Sequence, residues 1–134
     1  SDSVSEDNLA ESVSFAKNLS ARTNSIIAIT GAIDIVAGSQ KAFVIRNGHP
    51  LMSRVSGTGC MLACIIAAYC AANPDKMLEA TAAAVSALGL CGELACQRLR
   101  QLDGGTSTYR TLLIDYMSKL DSTILSEGIK IESR

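Results

Sequence analysis

One junction limits what this chain can fold into more than any other. Residues 55–60, VSGTGC, lead directly into the unbroken apolar run of residues 61–72. This run predicts a buried helix from Thr58 to Ala72, with residues 57–60 as its first turn. The first N–H groups of a helix have no acceptor within the helix, and the helix dipole places partial positive charge at the same end. Because glycines allow close approach to the backbone, the turn predicts a binding site for phosphate or another anion.

Length, composition and charge narrow the class of protein. The chain has 134 residues, of which 48% are hydrophobic and 19% charged, enough for one domain with a hydrophobic core. The formal net charge is −1 and no basic block occurs, which argues against a nucleic-acid or anionic-membrane partner. The apolar run of residues 60–72 is too short to span a bilayer and suits a buried helix better.

The cysteines and the single histidine limit the chemistry. The five cysteines form no C-x-x-C pair, and an odd number in mostly apolar stretches predicts reduced thiols and a cytoplasmic protein. His49 has no neighbour at ligand-like spacing, so we expect no structural zinc site and interpret it as a loop histidine rather than a catalytic base. The cysteines after Cys60 are predicted to be small core residues: Cys64, Cys70, Cys91 and Cys96.

The hydrophobic pattern predicts an α/β protein. Residues 6–22 have the spacing of an amphipathic helix with a capping box at Ser3 and Glu6, and residues 25–30 are predicted to form a strand buried on both faces. The other predicted elements are strands at 33–36 and 42–45 around a turn at 38–41, a loop at 47–50, helices at 58–72 and 75–100, a glycine-rich break at 103–108, a last helix around 112–120, and a strand or tail at 129–132.

The predicted helices have more apolar surface than the predicted strands can cover. The helices at 58–72 and 75–100 are long and nearly all apolar, although Gly89 and Gly92 are predicted to loosen or bend the second one. Three or four short strands expose too little sheet to bury both helices. We therefore infer that the chain is part of a larger sheet, completed by missing sequence or by a partner chain.

Three motifs follow one another along the chain: ITGAIDIV at 29–36, NGHPLM at 47–52 and VSGTGCML at 55–62. With these motifs, nearly the whole chain resembles the C-terminal half of the hydroxyethylthiazole kinases, ribokinase-like enzymes of thiamin salvage. The resemblance implies a three-layer α/β/α fold, in which a mostly parallel sheet packs under long apolar helices. It also implies that residues 1–134 are a single partial domain without its N-terminal half, and that the enzyme is a trimer with active sites at subunit interfaces.

The resemblance also implies an activity, the transfer of the ATP γ-phosphate to the hydroxyl of 4-methyl-5-(2-hydroxyethyl)thiazole. The catalytic residues that it implies are Gly57, Thr58, Gly59 and Cys60, whose N–H groups would stabilise the charge on the transferred phosphoryl group. Gly57 also matches a substrate-contact position and Thr30 a nucleotide-contact position. The acidic residues associated with Mg²⁺ belong to the N-terminal half, so we expect no metal ligand in this chain and no turnover by this chain alone.

Cys60 stands where ribokinase relatives carry an aspartate base. A loose transition state for phosphoryl transfer needs little activation of the nucleophile. We therefore expect Cys60 to orient the acceptor alcohol more than to remove its proton.

Alternatives to this assignment stay open. A phosphomethylpyrimidine kinase of the same superfamily would share the GTGC turn. A non-catalytic module that binds nucleotide or phosphate, or that only mediates oligomerisation, would need the glycines merely for a tight turn with positive φ. Redox sensing by the cysteines is a more distant hypothesis. Glu93, in an otherwise apolar segment, is either a buried partner of a backbone group or an exposed residue.

Overall fold

The computed structural model describes residues 4–134 and contains one sheet of four antiparallel strands. The strands lie in the order of the chain: β1 (Ile27–Ile29), β2 (Asp34–Ala37), β3 (Ala42–Ile45) and β4 (Ile131–Ser133). The strands predicted around residues 25–30, 33–36 and 42–45 are confirmed, and the segment left open as a strand or a tail is a strand. Every pairing is antiparallel, so residues 4–134 do not contain the parallel strands that the family's sheet implies.

The helices are α1 (Leu9–Thr23), α2 (Thr58–Ala72), α3 (Met77–Leu99), α4 (Thr106–Lys119) and α5 (Ser122–Gly128). Short 3₁₀ turns precede α1 and α3, and another 3₁₀ turn, Pro50–Arg54, follows the loop after β3. The capping box predicted at Ser3 and Glu6 involves Ser3, which lies outside the described residues. Helix α5 is an element that the hydrophobic pattern did not predict.

Helices cover both faces of the sheet. On one face, α1 packs its apolar side, including Leu9, Val13 and Ala16, against Ile35 and Val44. On the other face, Ala82 and Val85 of α3 pack against Val36 and Ile45 of the sheet. Successive residues of a strand point to opposite faces, which explains why Ile35 and Val36 are both fully buried. The result is three layers, helix on sheet on helix, as predicted.

Strand β1 is less buried than its sequence indicates. Residues 25–30 were predicted to be buried on both faces, and this prediction is wrong: Ile27 and Ile29 are partly buried and Ala28 is exposed. The physical reason is its position, because within residues 4–134 β1 is an edge strand that pairs only with β2. Its isoleucines pack against the cluster under α1, while Ala28 points to the other face.

Helix α2 has the predicted bounds but not the predicted burial. None of its residues is buried in the part of the chain that the structure describes, so the prediction of a buried helix is wrong. The faces of the small sheet are already covered by α1 and α3, and α2 packs against α3 through partly buried residues such as Leu62 and Ile65. Cys64, predicted to be a core residue, is exposed and Cys70 is half-buried, whereas Cys91 and Cys96 are buried as predicted.

Helix α3 is the centre of the domain. It contacts both neighbouring helices α2 and α4 as well as strands β2 and β3. Together with its preceding 3₁₀ turn it is long and apolar enough to cross a membrane, but 67% of that apolar window is buried inside the protein, as in the core helix of a globular domain. Gly89 and Gly92 do not break it, since α3 is continuous from Met77 to Leu99.

Candidate functional site

A cavity of about 540 Å³ lies where the β1–β2 turn, the loop after β3, the start of α2 and the middle of α3 meet. Thr30 and Gly31 line it from the turn, and Thr58 and Gly59 line it from the first turn of α2. The structure therefore brings the predicted nucleotide contact, Thr30, into one cavity with two residues of the predicted anion site. Gly57 and Cys60 are not in the cavity wall; Cys60 lies exposed on the outer side of the same helical turn.

Local backbone geometry explains how α2 begins. Gly57 is the N-cap residue with φ +93° and ψ 3°, a left-handed conformation that favours glycine. Its carbonyl oxygen accepts the first helical hydrogen bond, from the N–H of Met61 at 2.9 Å. The N–H groups of the following residues have no acceptor within the helix, and they carry the positive end of the helix dipole. The turn can therefore bind an anion.

The two glycines of this turn have different explanations. The positive φ of Gly57 supports the simple interpretation that a tight turn requires glycine there. Gly59 has no positive φ, and apart from its chain neighbours and the backbone of its own helix no atom of the described residues lies within 4 Å of a Cβ built on it. Neither backbone conformation nor packing within the described chain requires glycine at this position, which opens onto the cavity. Glycine here leaves the backbone open to close approach by a ligand.

Asp34 is a site residue that the sequence reasoning missed. It is the first residue of β2, it lines the cavity, and its Oδ1 accepts a hydrogen bond from the N–H of Gly31 at 2.9 Å. Burial raises the pKa of Asp34 to about 6, and the hydrogen bond from Gly31 opposes that rise. The available sequence signal was its charge, because Asp34 is the one ionisable residue within the apolar stretch 32–37.

The carboxylate of Glu93 fixes the loop after β3. Its Oε1 accepts hydrogen bonds from the Nδ2 of Asn47 at 3.1 Å and from the N–H of Gly48 at 2.9 Å, and its Oε2 accepts one from Lys130 Nζ at 2.7 Å. The side chain of Glu93 is only 16% exposed. The structure therefore favours the first interpretation of Glu93, a partly buried partner of a backbone group.

A second contact presses the same loop against α3. A Cβ built on Gly89 would lie 2.9 Å from backbone atoms of Asn47, closer than real Cβ contacts. Asn47 also bridges to the C-terminal segment, since its side chain donates to the carbonyl of Gly128 and accepts from the N–H of Lys130. The glycine thus serves close approach between helix and loop, and the loop forms one wall of the cavity.

His49 has a structural role. Its Nδ1 accepts a hydrogen bond from the N–H of Leu51 at 3.2 Å, which caps the 3₁₀ turn, and its Nε2 lies 3.3 Å from the Sγ of the buried Cys96. With Nδ1 accepting, Nε2 is the donor in the contact with the sulfur. Both ring nitrogens are occupied, which supports the interpretation of His49 as a loop histidine.

The thiols are free, and the described residues contain no cluster of metal ligands. All five cysteines are free, and burial raises the pKa of the Cys91 thiol to about 11, which makes it unreactive. Within residues 4–134, no group of three or more His, Cys, Asp or Glu side chains could hold a metal ion.

Comparison with known proteins gives a consistent result. The model of the hydroxyethylthiazole kinase family matches residues 2–123. The hydroxyethylthiazole kinase of Clostridium acetobutylicum is 51% identical over 132 residues, which are 98% of this chain and 48% of that protein. The enzyme of the same name from Desulfovibrio desulfuricans is 43% identical over 129 residues, 91% of this chain and 45% of that protein.

The fold is also similar to a solved structure, that of the hydroxyethylthiazole kinase protein from Pyrococcus horikoshii OT3. The TM-score is 0.84 at 28% sequence identity, over 96% of this chain and 48% of the solved one. This similarity confirms the predicted α/β fold. The chain spans about half the length of the relatives that it matches.

We predict that Asp34 makes stability depend on pH in an unusual direction. Burial raises its pKa from 3.8 to about 6, so the folded state binds the proton more tightly than the unfolded state. The contribution of Asp34 to the free energy of unfolding should therefore fall as pH rises from about 4 to about 6. Asp34→Asn should remove this fall and raise the free energy of unfolding at pH 7 by about 1 to 3 kcal/mol.

The measurement is chemical denaturation of wild type and variant at several pH values, and the difference between the two isolates Asp34. Asp7→Asn, at an exposed carboxylate, is the matched control and should show no such difference. A variant that is less stable than wild type at pH 7 would contradict the prediction.

Proposed function

The chain belongs to the hydroxyethylthiazole kinase family, and from this we propose that it provides the phosphoryl-binding turn of an ATP-dependent kinase. The acceptor is the hydroxyl of 4-methyl-5-(2-hydroxyethyl)thiazole, and the reaction belongs to thiamin salvage or biosynthesis. One observation supports the proposal above the others: Thr58 and Gly59 open onto the same cavity as Thr30. A phosphate at the start of α2 and a nucleotide contact at Thr30 are therefore compatible with a single bound nucleotide.

In the proposed mechanism, the backbone at the start of α2 stabilises the charge that builds on the transferred phosphoryl group. The N–H groups of Gly57, Thr58, Gly59 and Cys60 are the donors. They are held in place by the helix before any ligand arrives, and preorganised donors lower the barrier without a cost of reorganisation. Gly57 contacts the substrate and Thr30 the nucleotide, and catalysis is mainly positioning and electrostatics.

Cys60 is proposed to orient the acceptor alcohol. Its side chain is exposed and lies outside the wall of the cavity. An alcohol that reaches Cys60 therefore approaches the turn from outside the cavity wall. Direct transfer then requires this alcohol to be within reach of a γ-phosphate bound at the N–H groups of the same turn.

We propose that the complete active site needs residues beyond this chain. The chain spans about half the length of its relatives, and α2 exposes its apolar surface. The proposed state is a partial ribokinase-like domain, completed by an N-terminal half and assembled as a cytoplasmic homotrimer. Residues 4–134 have no cluster that fits Mg²⁺, so its ligands would come from that other half. On this proposal, the chain alone does not turn over.

A direct test of the function compares two acceptors in the full-length protein. We expect ATP-dependent phosphorylation of the thiazole alcohol in preference to an aminopyrimidine phosphate, measured side by side by product formation. Preference for the pyrimidine would identify the protein as a phosphomethylpyrimidine kinase and leave the proposed anion site unchanged. Transfer to neither acceptor would favour a non-catalytic module that binds nucleotide or phosphate, or that mediates oligomerisation.

Gly59→Ala separates ligand binding from folding. The described chain has room for the added Cβ, and alanine is favoured over glycine in a helix by up to about 1 kcal/mol, so stability should stay equal or rise. The methyl group would occupy the path of the phosphate, and kcat/KM for ATP should fall about tenfold or more. Gly105→Ala, at the N-cap of α4 with equally open space, is the matched control. Unchanged kinetics in Gly59→Ala would contradict an anion site at this turn.

Replacement of Cys60 distinguishes a residue that orients the acceptor alcohol from one that removes its proton. Loss of a general base typically costs about 100- to 10,000-fold in rate. If Cys60 only orients the alcohol, Cys60→Ser should lower kcat by less than about 100-fold, and Cys60→Asp should match or exceed wild type. Steady-state kinetics on the folded variants give the kcat of Cys60→Ser and of Cys60→Asp. Complete loss of turnover in Cys60→Ser would refute the orienting role.

A further inference from the structure

Asp34 has a position that no part of the proposed mechanism uses. It lies across the β1–β2 turn from Thr30. One of its carboxylate oxygens accepts a hydrogen bond from the N–H of Gly31 at 2.9 Å. Its second oxygen, Oδ2, has no hydrogen-bond partner among residues 4–134, and no cation of that range forms an ion pair with the carboxylate. Asp34 also lines the cavity together with Thr30 and Gly31.

The hydrogen bond to Gly31 determines where Thr30 lies. Residues 30–33 connect two short antiparallel strands. Ile33 is buried in the cluster under α1, whereas Thr30 and Gly31 are both exposed. A hydrogen bond from a backbone N–H to an ionised carboxylate is stronger than one between neutral groups. Asp34 therefore restrains the exposed part of the turn, Thr30 and Gly31, through this hydrogen bond.

The fold disfavours the ionised form of this carboxylate. Burial without a cation raises the pKa of Asp34 to about 6, so its ionised form at neutral pH destabilises the folded state. A group whose environment disfavours its charge, in a cavity and beside a ligand contact, is typical of functional sites.

We propose that Asp34 is a nucleotide-positioning residue, which holds Thr30 in its binding position through the N–H of Gly31. The proposal rests on the proposed function, in which Thr30 contacts the nucleotide. Asp34 acts through the turn and does not need to touch the reacting atoms. Its loss therefore weakens the binding of ATP and leaves the binding of the acceptor alcohol and the chemical step largely intact.

The test uses the full-length protein with Asp34→Ala, Asp34→Asn and the exposed control Asp7→Asn. Titration calorimetry gives the Kd for ATP, steady-state kinetics give kcat and both KM values, and denaturation gives stability. Asp34→Ala should raise the Kd and KM for ATP about tenfold or more, with the KM for the alcohol unchanged and stability at pH 7 equal or higher. Asp34→Asn keeps an acceptor oxygen for Gly31 and should stay within about threefold of wild type. Asp7→Asn should change nothing.

Two results would overturn the proposal. One is an Asp34→Ala variant with the ATP affinity of wild type. The other is a variant that loses kcat and both substrate affinities together with stability, which would indicate a structural role. Failure of the proposed function is a separate outcome: wild type that binds ATP but phosphorylates neither acceptor would refute the kinase assignment, while the Kd comparison would still decide the role of Asp34.

Discussion

The close contact between α3 and the loop after β3 is the interaction on which the rest of the structure depends. Gly89 lets the backbone of Asn47 approach the helix, and Glu93 then accepts hydrogen bonds from Asn47 and Gly48. A partly buried carboxylate with its hydrogen bonds satisfied rigidifies the elements that it joins. Here it joins the central helix, the sheet and the C-terminal segment through Lys130. One wall of the cavity is thereby fixed before any ligand binds.

The opposing charges at the cavity explain how a nucleotide would be oriented in it. The start of α2 presents backbone N–H groups and the positive end of a helix dipole, whereas the β1–β2 turn presents the carboxylate of Asp34. A phosphate is attracted by the first and repelled by the second. In the proposed function, the polyphosphate therefore lies at the helix end of the cavity, and Asp34 acts through the turn that carries Thr30.

The exposed apolar surface of α2 relates the fold to the length of the chain. Burial of apolar surface is the main driving force of folding. Because no residue of α2 is buried, its apolar surface contributes little to the stability of this chain. The chain also spans about half the length of its relatives. The proposed anion site is at the first turn of this same helix. Whatever covers α2 therefore also completes the surroundings of the site.

The sequence alone determined the local elements and the family. The bounds of α2, the β2–β3 hairpin and the three motifs were predictable because turn glycines, an X-Pro pair and hydrophobic runs act over a few residues. The burial of α2 and β1, the partners of Glu93 and His49, and the importance of Asp34 were decided by tertiary structure. An apolar pattern indicates that a surface favours burial, but which element covers that surface is decided by the whole fold. Likewise, the pKa of Asp34 depends on burial and on the N–H of Gly31, and only the folded chain brings these together.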